Sequence, residues 1–301
     1  MAYTELRFTA RDGLRLAGRS YGARGLERVP AVCLAGLTRN SADFDALAEH
    51  LANHPSSPRR VVTLDMRGRG ASEHDGNPDN YDIMIETADA LDGMLAAGIE
   101  DASIIGTSRG AILAMAMGAV RPAILHAVVM NDLGPVIEAE GLTEIRDYLE
   151  KRSTPSDWNE AVRSLRETQG VSFPALSDSQ WDRFARAIYR ENEGRLESAH
   201  DHTIHATLDS VEPGQAPPPM WTAFDGLRQV PTLSIRGELS TLFSAETQAE
   251  MAQRHPGLET HVVPSQGHAP RLDDEDTMER IAAFLAKHDD GQVRETLPPA
   301  R

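Results

Sequence analysis

A serine held between two glycines is the first candidate for chemistry in this chain, where residues 106–110 read Gly-Thr-Ser-Arg-Gly. An apolar, β-branched run precedes this motif, and residues 112–120 have a helical composition. The order strand, serine turn, helix is that of a nucleophile elbow, which exposes the Ser108 hydroxyl at the carboxyl edge of a sheet. The glycines are needed because side chains there would collide with the neighbouring strand or helix. The alternative interpretation is a Gly/Ser turn without chemistry between two core elements.

The second candidate is His268, one of 11 histidines. A serine hydroxyl must lose its proton to a base as it attacks, and an acid must hold that base in the right tautomer. His268 follows the last predicted strand in a Gly-His turn, the place from which a base reaches the elbow in doubly wound hydrolases. The alternative is a turn histidine that faces solvent.

Three further histidines, His200, His202 and His205, lie close together in the sequence and are candidate metal ligands. No pattern of carboxylate or cysteine ligands accompanies them. We therefore predict histidines that lie at the surface or line an inserted segment, and we predict no metal.

Charge and composition exclude several classes of protein. The 301 residues include 46 acidic and 30 basic side chains, a net charge of −16, which argues against nucleic acid or an anionic membrane as partner. The single cysteine, Cys33, lies in an apolar run and is expected to be a buried, inert thiol. The first residues do not resemble a leader, and no apolar stretch approaches a membrane span. We expect a cytoplasmic protein, and the sequence leaves homo-oligomerisation open.

Strand and helix patterns alternate along the first part of the chain. Two short strands joined by an Asp-Gly turn come first, and later apolar runs have the composition of strands covered on both faces. This alternation predicts an α/β fold with a mainly parallel sheet and right-handed crossovers. It stops near residue 136, where charged helical segments begin, and resumes at residues 230–235. We therefore predict a core of residues 1–135 and 223–289, a helical cap inserted at 136–222, and a disordered tail at 290–301.

Four short motifs together make the chain resemble the α/β-hydrolase superfamily with a helical cap. They are Leu-Ala-Gly-Leu at 34–37, Asp-Met-Arg-Gly-Arg-Gly-Ala-Ser at 65–72, the serine motif at 106–110 and Gly-His at 267–268. Each motif is weak alone, but all four fall at the ends of predicted strands in the order typical of that superfamily. The resemblance covers residues 3–288. It implies an α/β-hydrolase fold, with a mainly parallel eight-stranded sheet, helices on both faces and an inserted helical cap.

The resemblance also implies an oxyanion hole made by the backbone N–H groups of Leu37 and Arg109. Such donors point to where negative charge develops in a tetrahedral intermediate. The family commonly carries histidine at the position of Ala35. Because the donors are backbone groups, this departure does not remove them.

The acid has two candidates. Families of this fold usually take it from the loop after the strand at 230–235, but residues 236–242 contain no aspartate and one glutamate, Glu238. A few families take it from the loop after the preceding strand, which here carries Asp132. We predict Asp132 as the acid and Glu238 as the alternative. A structural role for Asp132, capping the turn into the inserted segment, is the other interpretation.

The resemblance implies a carboxylesterase-like serine hydrolase that uses no cofactor. Its substrate would be a small or medium ester, thioester, lactone or related acyl compound, cleaved through an acyl-enzyme on Ser108. Serine at this position disfavours dehalogenase or epoxide-hydrolase chemistry, which needs aspartate there. Two other functions stay open: carbon–carbon bond hydrolysis or cofactor-free oxygenation on the same fold, and ligand binding with little catalysis.

The inserted cap is expected to cover the site and set its specificity. Trp158, Trp181 and Trp221 are candidate pocket walls and, equally, candidate core anchors of the cap helices. Arg39, which follows the strand at 30–35, is a candidate for the pocket entrance.

Overall fold

The fold was analysed in a computed structural model that describes residues 3–151, 154–209, 212 and 214–289. These residues form ten strands and nine α-helices. The strands are β1 (Thr4–Thr9), β2 (Arg15–Tyr21), β3 (Ala31–Leu34), β4 (Val61–Asp65), β5 (Ala102–Thr107), β6 (Leu125–Asn131), β7 (Tyr189–Asn192), β8 (Arg195–Ser198), β9 (Thr232–Gly237) and β10 (Leu258–Val263). The helices are α1 (Asp45–Ala52), α2 (Ile83–Ala96), α3 (Arg109–Val120), α4 (Ala139–Lys151), α5 (Trp158–Gln169), α6 (Asp178–Ile188), α7 (Trp221–Asp225), α8 (Ala245–Arg254) and α9 (Glu275–His288).

Eight strands form one sheet in the order β1-β2-β4-β3-β5-β6-β9-β10. Strand β2 pairs antiparallel with β1 and β4, and all other pairs are parallel. The predicted fold class is therefore confirmed. Because β3, β5, β6, β9 and β10 are parallel, their carboxyl ends meet at one edge of the sheet, where open α/β folds place their sites.

Two apolar layers cover the sheet, since successive side chains of a strand point to opposite faces. Val32 and Leu34 of β3 pack in the layer that contains α2 and α3, whereas Ala31 and Cys33 pack in the layer with α1 and α9. Burial raises the pKa of the Cys33 thiol. This cysteine is therefore a core side chain and not an activated nucleophile.

The segment between β6 and β9 contains helices α4 to α7 and, in addition, the antiparallel hairpin β7–β8. The expectation of a purely helical insertion did not include this hairpin. Its turn consists of Glu193 at φ 50° and Gly194 at φ 76°, both in the left-handed region that a two-residue hairpin turn requires. Glutamate is an uncommon residue at such a position, so the amino-acid composition of this turn does not predict a hairpin.

This inserted segment also has an apolar cluster of its own. It comprises Ala161, Leu165, Phe173, Trp181, Phe184, Ala185, Ile188, Tyr189 and Leu196. Because it has this core of its own, the segment can pack at the sheet edge without contributing a strand to the eight-stranded sheet.

The tail at 290–301 that was predicted to be disordered lies outside the described residues. Within the part of the chain that the structure describes, no helix combines the length and the apolar character that crossing a membrane requires.

Candidate active site

Ser108 lies at the tight turn between β5 and α3, with φ 52° and ψ −115°. The two glycines of its motif are sterically required. A Cβ on Gly110 would lie 2.0 Å from the Leu34 carbonyl oxygen, and one on Gly106 would lie 2.3 Å from the Gly110 carbonyl oxygen. Helix α3 can therefore pack this close to β3 and β5 only because both side chains are absent, and the turn lifts Ser108 out of the sheet.

His268 bridges the serine and a carboxylate. Its Nε2 lies 2.9 Å from the Ser108 Oγ, and its Nδ1 lies 2.8 Å from the Asp132 Oδ2. These three residues come from the turn after β5, the turn after β6 and the loop after β10, and the sheet edge brings them together. The structure thus joins Ser108, His268 and Asp132 in one hydrogen-bonded chain.

The Asp132 carboxylate is fully buried and held in place by other donors. It follows β6 with φ 55°, and it accepts hydrogen bonds from the Gly237 N–H at 2.7 Å and from the Ser240 Oγ at 2.7 Å. An ionised carboxylate only accepts, so the His268 Nδ1 donates to Asp132. That tautomer leaves the lone pair of Nε2 directed at the Ser108 hydroxyl, which is the arrangement a general base needs.

Glu238, the alternative acid, has a different contact. Its Oε2 accepts a hydrogen bond from the Ser265 N–H at 2.8 Å. Glu238 therefore lies on the loop after β9 with its carboxylate bound to the loop after β10, whereas Asp132 lies against the imidazole.

Leu37 lines the same cavity as Ser108, and Arg109 directly follows the serine in the chain. Gly36 lies beside it, since a Cβ on Gly36 would be 3.6 Å from the Ser108 Cβ. Arg109 begins α3, so its N–H is among the first of that helix and has no partner inside it. Among the described residues, neither N–H group is bound to a backbone carbonyl in a turn or loop.

A cavity of about 520 Å³ opens over Ser108 and His268. This volume is in the range of small-molecule sites, about 300–1,000 Å³. The carboxyl edge of the sheet forms one side of it, and the inserted segment forms the other through Gly141, Ile145, Tyr148, Leu149, Val171, Phe173 and Phe184. The same segment also lines the cavity with five polar residues, namely Glu144, Asp147, Thr168, Gln169 and Ser172. This side of the cavity therefore offers both apolar and polar contacts to a ligand.

Comparison with known proteins gives this site a family context. The family model described as "Alpha/beta hydrolase family" matches residues 31–283. The chain belongs to the α/β hydrolase family. A crystal structure of an α/β hydrolase from Novosphingobium aromaticivorans is 38% identical, with a TM-score of 0.85, and the match covers 95% of this chain and 99% of that one.

Relatives of this α/β hydrolase carry hydrolase names. A 3-hydroxybutyrate-oligomer hydrolase from Cupriavidus necator is 28% identical over 271 residues, which cover 86% of this chain and 89% of that protein. A 2-(acetamidomethylene)succinate hydrolase from Mesorhizobium japonicum is 27% identical over 256 residues, which cover 83% of this chain and 85% of that protein. The chain is therefore a hydrolase.

Arg39 lines the cavity, at the turn where the sequence placed it. Its guanidinium pairs with Asp43 through Nε at 2.7 Å and lies 4.8 Å from the ring centre of Phe184. Arg271, also in the lining, lies 4.7 Å from the same ring centre. Phe184 thus has a cation near its ring from each of these arginines.

The three tryptophans lie outside the lining of this cavity. Trp181 is buried in the apolar cluster of the inserted segment and stacks on Phe184. Trp158 packs against that same cluster, and Trp221 packs against the layer that contains α3. Their contacts are those of packing anchors, the second of the two roles that the sequence allowed.

The sequence analysis missed a buried ionic chain that joins the two N–H-bearing residues of the site. Arg69 donates from Nε to the Leu37 carbonyl at 2.8 Å and from Nη1 to the Glu86 Oε1 at 2.6 Å. The other Glu86 oxygen accepts from the Arg109 Nε at 2.7 Å. The one available signal was a glutamate on the apolar helix after the arginine-rich turn at 65–72.

Glu86 is fully buried, and its charge is compensated on both sides. Burial acts to raise the pKa of this carboxyl, but the guanidiniums of Arg69 and Arg109 outweigh burial and hold the pKa below its ordinary value. The carboxylate is therefore charged in the folded protein and acts as a rigid bridge between the turn after β3 and the start of α3.

Proposed function

We propose that this hydrolase cleaves a small or medium ester, thioester, lactone or related acyl substrate through an acyl-enzyme on Ser108. The observation that carries the proposal is the hydrogen-bonded chain from Ser108 Oγ through His268 to Asp132 at the floor of the cavity. The names of the relatives from Cupriavidus necator and Mesorhizobium japonicum agree with hydrolysis of an acyl compound.

In the first half of the reaction, the Ser108 Oγ attacks the substrate carbonyl while His268 Nε2 takes the hydroxyl proton. Asp132 stabilises the resulting imidazolium through its Nδ1 proton and stays ionised. The imidazolium then gives its proton to the leaving group as the bond between the acyl carbon and that group breaks, a carbon–oxygen bond in an ester or lactone and a carbon–sulfur bond in a thioester. The alcohol or thiol departs and leaves the acyl group on Ser108, except that the alcohol of an opened lactone stays attached to the acyl chain.

In the second half, water enters the place of the leaving group and loses a proton to His268 as it attacks the acyl carbon. Collapse of this second tetrahedral intermediate breaks the bond to Ser108, which regains its proton from His268. The carboxylic acid then leaves. In both halves the N–H groups of Leu37 and Arg109 would face the oxyanion, and loss of one such donor costs about 3–4 kcal/mol in a well-studied protease.

We also propose residues 136–222 as a cap that sets specificity over a core of residues 1–135 and 223–289. The support is the separate apolar cluster of this segment and its contribution to the lining of the cavity over Ser108. In this proposal Arg39 binds substrate at the edge of the cavity, and the three tryptophans stabilise the cap without touching substrate.

A panel of acyl substrates tests the proposed function. We expect turnover of p-nitrophenyl acetate and butyrate and of a 3-hydroxybutyrate dimer, with kcat/KM for butyrate above that for palmitate because the cavity is of small-molecule size. Liquid chromatography of the acid products checks this. Cleavage of a β-diketone with no ester turnover would instead indicate a carbon–carbon bond hydrolase. Fluorophosphonate labelling or ligand binding without any turnover would indicate a weakly catalytic homologue.

Glu86→Gln tests whether the ionic chain positions the oxyanion donors. The substitution keeps the side-chain shape but leaves Arg69 and Arg109 without their buried counter-charge, which costs about 3–5 kcal/mol of stability when one partner of a buried pair is removed. We expect kcat to fall by up to about 10²-fold, the lower range for loss of one oxyanion donor, with KM little changed. Steady-state kinetics well below the melting temperature check this.

The matched control is Asp89→Asn, on the same helix. Asp89 is buried and lies 2.7 Å from the Arg67 Nε, and among the described residues its carboxylate accepts no hydrogen bond from Leu37 or Arg109. Arg67 also pairs with Asp12 and Asp75, so we expect a smaller loss of stability than in Glu86→Gln, with kcat close to that of the wild type. Equal losses of kcat in both variants would show that Glu86 acts through general stability alone.

A further inference from the structure

Three histidines lie close together after β8. His200 comes just before the short 3₁₀ helix His202–Leu208, and His202 and His205 lie within that helix. A 3₁₀ helix has three residues per turn, so residues three apart lie on the same face. His202 and His205 therefore project together, and His200 approaches them from just before the helix. Each pair of the three ring centres is 5.3–5.6 Å apart.

We propose that these three histidines bind one divalent transition-metal ion of the zinc class, with a water molecule in the fourth position. One ring nitrogen from each histidine lies within 4.8 Å of the other two. His200 Nε2 and His205 Nε2 are only 3.0 Å apart. Imidazole nitrogens bound tetrahedrally at about 2.0–2.1 Å from zinc lie about 3.3–3.4 Å apart, so this pair needs a shift of a few tenths of an ångström.

The sequence analysis predicted no metal here because no carboxylate or cysteine ligand accompanies the histidines. Three imidazoles form a complete protein ligand set for an open four-coordinate site, so no fourth protein ligand is required. A hydrogen bond between His200 and His205 accounts for the approach of two rings. That hydrogen bond does not explain why the His202 ring lies beside the other two. A shared metal ion would explain the positions of all three rings.

The three rings differ in solvent exposure. This difference suits a metal site that is fixed on one side and open to solvent on the other. His200 is buried, His205 is half-buried and His202 is exposed. An exposed ligand can turn to complete the coordination, and the same opening admits the metal and its water ligand.

The site would fix the inserted segment against the turn after β4. The Gly70 N–H donates to the Ala199 carbonyl at 2.8 Å, and the Asp201 N–H donates to the Gly68 carbonyl at 2.7 Å. His200 forms an isolated antiparallel bridge with Arg69 between these two bonds. A metal ion would therefore tie the short helix to residues already paired with that turn, and this role is independent of the chemistry at Ser108.

A second cluster offers a matched control. His50, His54 and Glu279 also bring ligand atoms within 4.8 Å of one another. Here the carboxylate lies 3.3 Å from a nitrogen of each histidine, so pairing with Glu279 already explains their approach. Glu279 is half exposed, and Glu279→Gln removes this cluster's carboxylate without disturbing the core.

Titration of the tag-free, metal-stripped protein with Co²⁺ tests the proposal. We expect one equivalent to bind with the intense visible absorption of tetrahedral or five-coordinate Co²⁺, and Zn²⁺ to displace it. His202→Ala, at an exposed position, should weaken binding by more than the ~10–100-fold that loss of an outer-shell partner costs. Zn²⁺ should raise the melting temperature of the wild type and of Glu279→Gln, but not of His202→Ala.

The outcomes separate cleanly. Loss of the cobalt spectrum in His202→Ala and its retention in Glu279→Gln support the site. Binding that is equal in the wild type and His202→Ala, or that disappears only in Glu279→Gln, overturns it. Because the readouts are spectra and melting temperatures, they do not depend on whether Ser108 is a nucleophile.

Discussion

Ser108→Ala is expected to lower kcat for ester hydrolysis by about six orders of magnitude, the loss that follows removal of the nucleophile in a serine protease. The reason is geometric. The Ser108 Oγ is the atom 2.9 Å from His268 Nε2, and the strained turn between β5 and α3 presents it to the cavity. Ser108 is only half-buried and the substitution removes a single oxygen atom, so the melting temperature should stay nearly unchanged.

Intact-protein mass spectrometry after treatment with a fluorophosphonate gives an independent readout. We expect one adduct on the wild type and none on Ser108→Ala. Ser172→Ala is the matched control, because Ser172 also lines the cavity and should leave the adduct in place. Labelling of Ser108→Ala at the wild-type rate would rule out Ser108 as the nucleophile.

The second large effect is expected from Asp132→Asn, which should lower kcat by about 10⁴-fold. An asparagine amide can present its NH₂ to His268 Nδ1 and so favour the tautomer that carries its proton on Nε2. That imidazole could no longer accept the Ser108 proton. Glu238→Gln is expected to leave kcat nearly unchanged, since the carboxylate of Glu238 contacts the Ser265 N–H.

The same aspartate substitution has a structural cost that must be measured separately. Asp132 also accepts hydrogen bonds from Gly237 and Ser240, and a buried donor left without its acceptor costs about 1–3 kcal/mol. Thermal melting of both variants sets a temperature at which each is folded, and kcat is compared there. If Glu238→Gln loses activity while Asp132→Asn keeps it, the acid is Glu238.

Much of the fold could be predicted from local sequence. Buried parallel strands are continuous apolar runs, and the helices between them have a different periodicity, so the alternation predicts a mainly parallel sheet. The hairpin β7–β8 could not be predicted in this way. Its strands are short and polar, and its turn begins with glutamate, so neither periodicity nor turn composition separates it from a helix.

Residue types and strand ends were sufficient to single out Ser108 and His268, because the elbow and the Gly-His turn are local patterns at one sheet edge. The choice of carboxylate needed tertiary structure. Two loops at the same edge carry Asp132 and Glu238, and only the folded backbone determines which side chain meets the imidazole. The position of the tryptophans and of the chain Arg69–Glu86–Arg109 likewise depends on how distant segments pack.

The sequence thus determined the alternation of strands and helices along the chain, the serine turn and the histidine that follows the last strand, since each depends on steric and periodic rules that act over a few residues. Tertiary structure alone decided the partner of His268, the lining of the cavity and the convergence of His200, His202 and His205. These features join residues from separate elements or depend on the turn geometry of a short helix, and sequence spacing does not encode the distances between side chains.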